Sequence, residues 1–192
     1  MSNQIHSKNL YKKLQKRYSK KINLDLRRIN LALKKLGNIH KNIINPINII
    51  GSDGKYSTLK SLKYFIKENK EKVSTFTSPH LYDVRHRFWL KNKFISINEF
   101  KKNIKSIEKM RVKLTLFELL TLVYFMSASK LKGISYSLVE AGLLYAKDST
   151  RVWNEPKCQI VTNINEQHLD WIKPKTLREI CKQKVGFLSK KT

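Results

Sequence analysis

The stretch from Asn45 to Asn69, NPINIIGSDGKYSTLKSLKYFIKEN, constrains the fold of this chain more than any other. Ile47 to Ile50 form a short branched apolar run between Pro46 and Gly51, the pattern of a buried strand. Leu59, Leu62, Phe65 and Ile66 then fall on one face at helical spacing, so Ser57 to Asn69 reads as an amphipathic helix. A strand joined to a helix by a glycine turn is the first half of a βαβ unit. Such a turn offers backbone N–H groups and a helix N-terminus to an anion, Lys55 can reach a terminal phosphate, and Ser57 or Thr58 can ligate Mg²⁺. The spacing departs from GxxxxGK[ST]: only Ser52 and Asp53 lie between Gly51 and Gly54, and Tyr56 separates Lys55 from the hydroxyl. The pattern alone leaves open a phosphate loop or an ordinary βα turn with a solvated lysine.

The same alternation continues along the chain. Leu24, Ile29, Leu33 and Leu36 mark a helix that stops at Gly37, and KVSTFTSPH reads as a second strand that cannot continue past Pro79. RFWLKNKFIS fits a hairpin turning near Lys91 to Lys93. Helices are expected over Asn98 to Met110, Thr115 to Ser129 and TLREICKQKVGFL, with strands in ISYSLVEAGLL and CQIVTNIN. This order predicts an α/β fold with a mostly parallel sheet flanked by helices, whose ligands sit beyond the carboxyl ends of the strands.

Three of those ends, besides the glycine turn, carry reactive groups. In TSPHL a proline fixes the turn beside Ser78, which suits a metal-ligating hydroxyl or a simple turn. Glu140 ends an apolar strand, where a carboxylate is costly unless it meets a metal or a basic partner. His168 in NINEQHLDW is either a ligand or a structural histidine.

A formal charge of +26 in 192 residues invites a nucleic-acid reading. The lysines are spread along the whole chain, however, and asparagine and isoleucine are abundant too, as in proteins of A- and T-rich genomes; no specific nucleic-acid partner is expected. No apolar run of about eighteen residues and no apolar segment near Met1 occurs, so neither a membrane span nor a secretion signal is expected, and the reading is a cytoplasmic protein and a monomer. Cys158 and Cys181 lack metal-ligand or redox-motif spacing and read as ordinary thiols.

Taken in order, these motifs resemble the folylpolyglutamate synthase/dihydrofolate synthase family, within the Mur ligase superfamily. GSDGKYS is similar to the family's GTNGKGS, TSPHL to its SSPHL or TSPHL, and LTLFELLT to LTxFExxT. EAGLLYAKDSTR aligns with EVGLGGRLDATN, QHLDWIKPKTLREICKQKVGF with DHxxxLGxTxxxIxxEKAGI, and the first helix ends in LGN. The resemblance implies ATP-dependent ligation of L-glutamate to dihydropteroate or a folate through an acyl phosphate. It implies a P-loop-type, Mur-ligase-like ATPase domain, incomplete here, with residues 1–45 as a helical lead-in and 46–192 as part of the ATP-binding domain. The glutamate-ligase domain expected to follow is missing, so a fragment or a shortened binding relative is expected.

The resemblance also implies roles. Gly51, Ser52, Asp53, Gly54, Lys55, Tyr56 and Ser57 would form the ATP-phosphate loop. Ser57, Ser78, Glu140, His168 and Lys184 would hold Mg²⁺, Lys184 as a carbamate, with Lys55, His168 and Lys184 the catalytic set. Thr115, Leu116, Phe117, Glu118 and Lys147, Asp148, Ser149 would contact the pterin-bearing acceptor. The chain departs from the family pattern at Tyr56, a glycine there, which would obstruct the loop if that position needs a positive φ. It departs again at Leu144, Tyr145 and Ala146 in place of the glycines and arginine of GLGGR, and at His86, Arg151 and Gln167.

Overall fold

The computed structural model describes residues 2–18, 23–190 and 192, with side chains from residue 8 onward. Helices α1 (Ser2–Arg17) and α2 (Leu26–Lys35) precede strand β1 (Pro46–Ile50) and helix α3 (Lys55–Glu68). Strands β2 (Val73–Phe76), β3 (Phe88–Lys91) and β4 (Lys93–Phe94) follow, then helices α4 (Ile97–Lys109) and α5 (Leu116–Ala128). Strand β5 (Tyr136–Glu140), strand β6 (Cys158–Val161) and helix α6 (Leu177–Val185) complete the order.

The six strands make one mixed sheet in the order β4-β3-β2-β5-β1-β6. The central strands β2, β5, β1 and β6 run parallel, and the predicted hairpin β3–β4 adds two antiparallel strands at the β2 edge. The parallel strands read as near-continuous apolar runs because helices cover both faces. On one face, Leu59 of α3 seals against Ile49, Val73 and Leu138.

The other face is governed by α5. Its sequence is apolar on every side, so it carries no amphipathic stripe and is buried throughout, with Leu119, Leu122, Val123, Tyr124 and Phe125 shut off from solvent. Phe76 of β2 stacks on Tyr124 at 5.3 Å and lies 5.6 Å from Phe88. The Tyr124 hydroxyl finds its partner in Ser74 Oγ at 2.8 Å, which in turn donates to Ser137 Oγ at 3.0 Å, so a hydrogen-bonded chain ties α5 to β2 and β5. Thr115 starts the helix with a capping box: its Oγ1 accepts from Glu118 N–H and the Glu118 carboxylate accepts from Thr115 N–H.

Tyr124→Phe keeps the ring and removes the hydroxyl. We expect it to lower unfolding free energy by about 1 kcal/mol, seen as a lower urea midpoint with unchanged slope.

Candidate active site

The carboxyl ends of β2, β5, β1 and β6 stand side by side, and each delivers one of the predicted loops. From β1 the chain turns through Gly51, whose φ of 150° and lack of a side chain let it lie against the 162–163 loop. A Cβ at Gly51 would overlap Thr162 Oγ1 and come within 2.9 Å of Asn163 O. Gly54, at φ 79°, sets the left-handed turn from which α3 starts.

Two ammonium groups meet at this turn. Lys55 Nζ donates to Gly51 O at 3.0 Å and to Ser52 O at 2.8 Å, while Lys184 Nζ, on α6, donates to Gly51 O at 2.7 Å. Lys184 is only 1% exposed, and burial, with the Lys55 charge adding to it, lowers its pKa to about 8. Burial likewise lowers the pKa of His168, and the Lys184 and Lys55 charges push in the same direction. Two cations sharing one carbonyl beside the open first turn of α3 create a strong positive potential, suited to a polyphosphate.

Glu140, at the end of β5, is 3% exposed. Its Oε2 accepts the Ser78 N–H at 2.9 Å, which joins the ends of β2 and β5. Burial raises the Glu140 pKa, and the Ser78 bond, Lys55 and Arg87 oppose it, so the basic partner that a carboxylate requires there is present.

A cavity of about 530 Å³ opens beside these groups. Lys55, Ser78 and Glu140 line it together with all seven residues predicted to contact an acceptor, Thr115 to Glu118 and Lys147 to Ser149. Their side chains do different work. Glu118 is occupied by Arg28, at 2.9 Å, and by its own helix cap. Asp148 accepts from Gly142 N–H, Leu143 N–H, Thr150 N–H and Thr150 Oγ1, and so shapes the 142–150 loop rather than facing the cavity unpaired. Ser57, His168 and Lys184 lie outside the lining, with Ser57 exposed in the first turn of α3. Among the described residues no three His, Cys, Asp or Glu side chains form a metal cluster. Mg²⁺ commonly takes one or two carboxylates plus phosphate and water oxygens, and Glu140 with Ser78 meets that smaller demand.

Tyr56 lies within α3, 51% exposed, and its φ is not positive. The condition of a positive φ is therefore not met at this position, and the tyrosine sits there without backbone strain. Leu144, by contrast, has a φ of 42°, a left-handed conformation that costs on the order of 1 kcal/mol in a residue with a Cβ. Its side chain is buried against Ile172 and Ile180, which offsets that cost. The neighbouring Tyr145 fills the space behind, donating to Asn48 Oδ1 at 3.2 Å and accepting from Gln159 Nε2 at 2.9 Å.

Sequence reasoning missed Arg87, which lines the cavity and is only 7% exposed. Its Nε–H donates to His80 Nδ1 at 2.9 Å, and Tyr11 of α1 meets the His80 ring edge-on at 4.4 Å. The signal was the arginine beside His86, in the segment following TSPHL. Burial, with the Arg87 charge adding to it, holds the His80 pKa down at about 4, below the ordinary 6.5, so the ring is a neutral acceptor at neutral pH.

His80→Leu removes that acceptor and should cost about 1–3 kcal/mol in urea unfolding, whereas His80→Asn, with Oδ1 in place of Nδ1, should cost less. Because the folded-state pKa is the lower one, the unfolded chain binds more protons between pH 6.5 and about 4. Wild-type stability should therefore fall by about 1 kcal/mol as pH is lowered through that window, discounted for the ring's partial exposure, and His80→Asn should flatten the profile.

No family model matches the chain. A probable dihydrofolate synthetase of Schizosaccharomyces pombe is 30% identical over 173 residues, covering 88% of this chain and 41% of that protein. The dihydrofolate synthase/folylpolyglutamate synthase of Bacillus subtilis is 27% identical over 171 residues, covering 85% and 39%. Among solved structures, E. coli FolC in complex with DHPP and ADP superposes with a TM-score of 0.84 at 25% identity, over 94% of this chain and 43% of that one. The chain thus spans about two-fifths of the length of the relatives it matches. In sequence and in fold, it is a relative of the dihydrofolate synthase/folylpolyglutamate synthase family.

Proposed function

We propose that this chain forms the ATP-phosphate site and the acceptor pocket of an ATP-dependent ligase that joins L-glutamate to dihydropteroate or a folate. The observation that carries the reading is the convergence of Lys55 and Lys184 on Gly51 O beside the cavity that holds Glu140. The relatives' names and the ADP bound to E. coli FolC support it. Residues 1–45 serve as the lead-in, from which Tyr11 and Gln15 of α1 and the residues Asn23 and Leu24 wall the pocket, 46–192 carry the nucleotide, and the glutamate site belongs to a further domain.

In the first half-reaction an acceptor carboxylate oxygen attacks the γ-phosphorus of ATP and ADP leaves, giving an acyl phosphate. The glutamate amine then attacks the acyl carbon, phosphate leaves, and the amine's proton goes to a base. The transferred phosphoryl group spreads charge over its oxygens, so Lys55 and the first-turn N–H groups of α3 act mainly by positioning and by electrostatic stabilisation. Apolar walls from Leu116, Phe117 and Leu143 suit a flat ring, with Thr115, Lys147 and Ser149 at the polar margin. Glu140 and Ser78 would hold one Mg²⁺, with Ser57 as the loop hydroxyl, and His168 and Lys184 would serve the second metal. When bound, the metal neutralises charge on the transferring phosphoryl oxygens. The lowered pKa of Lys184 leaves a fraction of neutral amine, which carbamate formation with CO₂ needs; in that form Lys184 would no longer be a cation, and Lys55 alone would supply the positive charge at the turn.

A second reading, a nucleotide- or folate-binding relative without turnover, is favoured by Leu144, Tyr145 and Ala146 in the acceptor loop.

Calorimetric titration with MgATP tests the proposal. Binding should be lost at least about tenfold in Lys55→Ala, a charge-assisted contact being worth about 1.5–3 kcal/mol. Equal affinity in that variant would reject the phosphate loop. With dihydropteroate and glutamate added to a full-length version, ADP release separates the ligase from the silent binder.

A further inference from the structure

Two departures from the family pattern meet in space. The pattern has asparagine where this chain has Asp53, and aspartate before the histidine where this chain has Gln167. Gln167 Nε2 donates to Asp53 Oδ1 at 2.9 Å. Both patterns therefore hold one amide and one carboxylate at these positions, with the two groups exchanged. A change at position 167 alone, back to aspartate, would set carboxylate against carboxylate.

The contact is part of a wider clasp. Asn165 Nδ2 donates to Asp53 Oδ2 at 2.5 Å, Asp53 N–H donates to Asn163 Oδ1 at 2.7 Å, and Thr162 Oγ1 donates to Asp53 O at 2.6 Å. Every polar group of residue 53 is thus tied to the 162–167 loop. The bonds from Asn165 and Gln167 lower the Asp53 pKa, so a full negative charge stands in the turn at neutral pH. That charge immediately precedes Gly54, from which α3 starts, where a freed aspartate would cap the open N–H groups or pair with Lys55. Either contact would compete with a phosphate.

We infer that Asp53 and Gln167 are a reciprocally exchanged pair, and that Gln167 is a positioning residue that holds the Asp53 carboxylate off the anion-binding face of the 51–55 turn. The inference rests on the proposal that this turn binds ATP phosphates. It also explains how a loop with an acid at its centre retains the geometry of an anion site.

The test is a double-mutant cycle of Asp53→Asn, Gln167→Asp and the double variant, read by MgATP titration where all four proteins are folded and by thermal unfolding. Gln167→Asp should weaken MgATP binding roughly tenfold and lower Tm, because two carboxylates now face each other. The double variant should return to within about threefold of wild type in affinity and recover Tm. Asp53→Asn alone should lower Tm, because an amide can accept only one of the two bonds that Asn165 and Gln167 donate to the carboxylate, and its effects should not add to those of Gln167→Asp. A double variant no better than Gln167→Asp, or a Gln167→Asp protein that binds as wild type does, overturns the inference. If the wild-type chain does not bind MgATP, the phosphate-site reading fails. The thermal cycle then decides the pair separately, and additive Tm shifts reject it.

Discussion

The burial of α5 is the constraint on which the rest of the architecture depends. A helix apolar on all sides is stable in water only when other elements enclose it, and here the sheet lies on one side and α2 and α4 on the others. Enclosure fixes both ends of the helix. Its first turn, with Leu116 and Phe117, becomes a wall of the cavity, and its capping carboxylate, Glu118, must find Arg28 because it is almost fully buried. The cavity is therefore a consequence of core packing.

The parallel order of β2, β5, β1 and β6 then does for charge what α5 does for apolar surface. Four strand ends in a row bring Ser78, Glu140, the Gly51 turn and the 162–167 loop together from segments far apart in sequence. Glu140, Arg87, Lys55 and Lys184 are each costly to bury alone. In the group, the carboxylate of Glu140 is moderated by Lys55 and Arg87, while Lys55 adds to the cost of burying Lys184. Such a set of buried charges beside an open cavity is characteristic of a binding site for a charged substrate.

The departures from the family pattern turned out to have physical accommodations. Tyr56 is helical and exposed, so its bulk leaves the backbone of the turn unstrained. Leu144 accepts a left-handed backbone in exchange for apolar burial, and Tyr145 has its hydroxyl held between Asn48 and Gln159. His86 packs against Phe94 with ring centroids 4.8 Å apart. These four altered residues are integrated with their surroundings, as expected when neighbouring positions change together, whereas Arg151 stacks its guanidinium 4.7 Å over the Phe187 ring and leaves its buried Nε without a hydrogen-bond partner among the described residues.

Much of this was legible in the sequence because it is local. Strand and helix periods placed nearly every element, Gly51 and Gly54 marked the turn, and the motif order carried the family resemblance. The antiparallel β3–β4 edge was readable as a hairpin for the same reason. Other features depended on residues distant along the chain. Arg87 acquires its place in the cavity only because His80 and Tyr11 fold beside it. Glu118 matched an acceptor-contacting pattern, yet its carboxylate is taken by Arg28, far away in the sequence. Sequence thus determined the alternation of elements and the chemical types at the strand ends, which depend on short-range propensity and spacing. Which charges face one another, which are neutralised by a partner and which remain open to a ligand was decided only by tertiary structure, because burial and electrostatic coupling depend on distance in space.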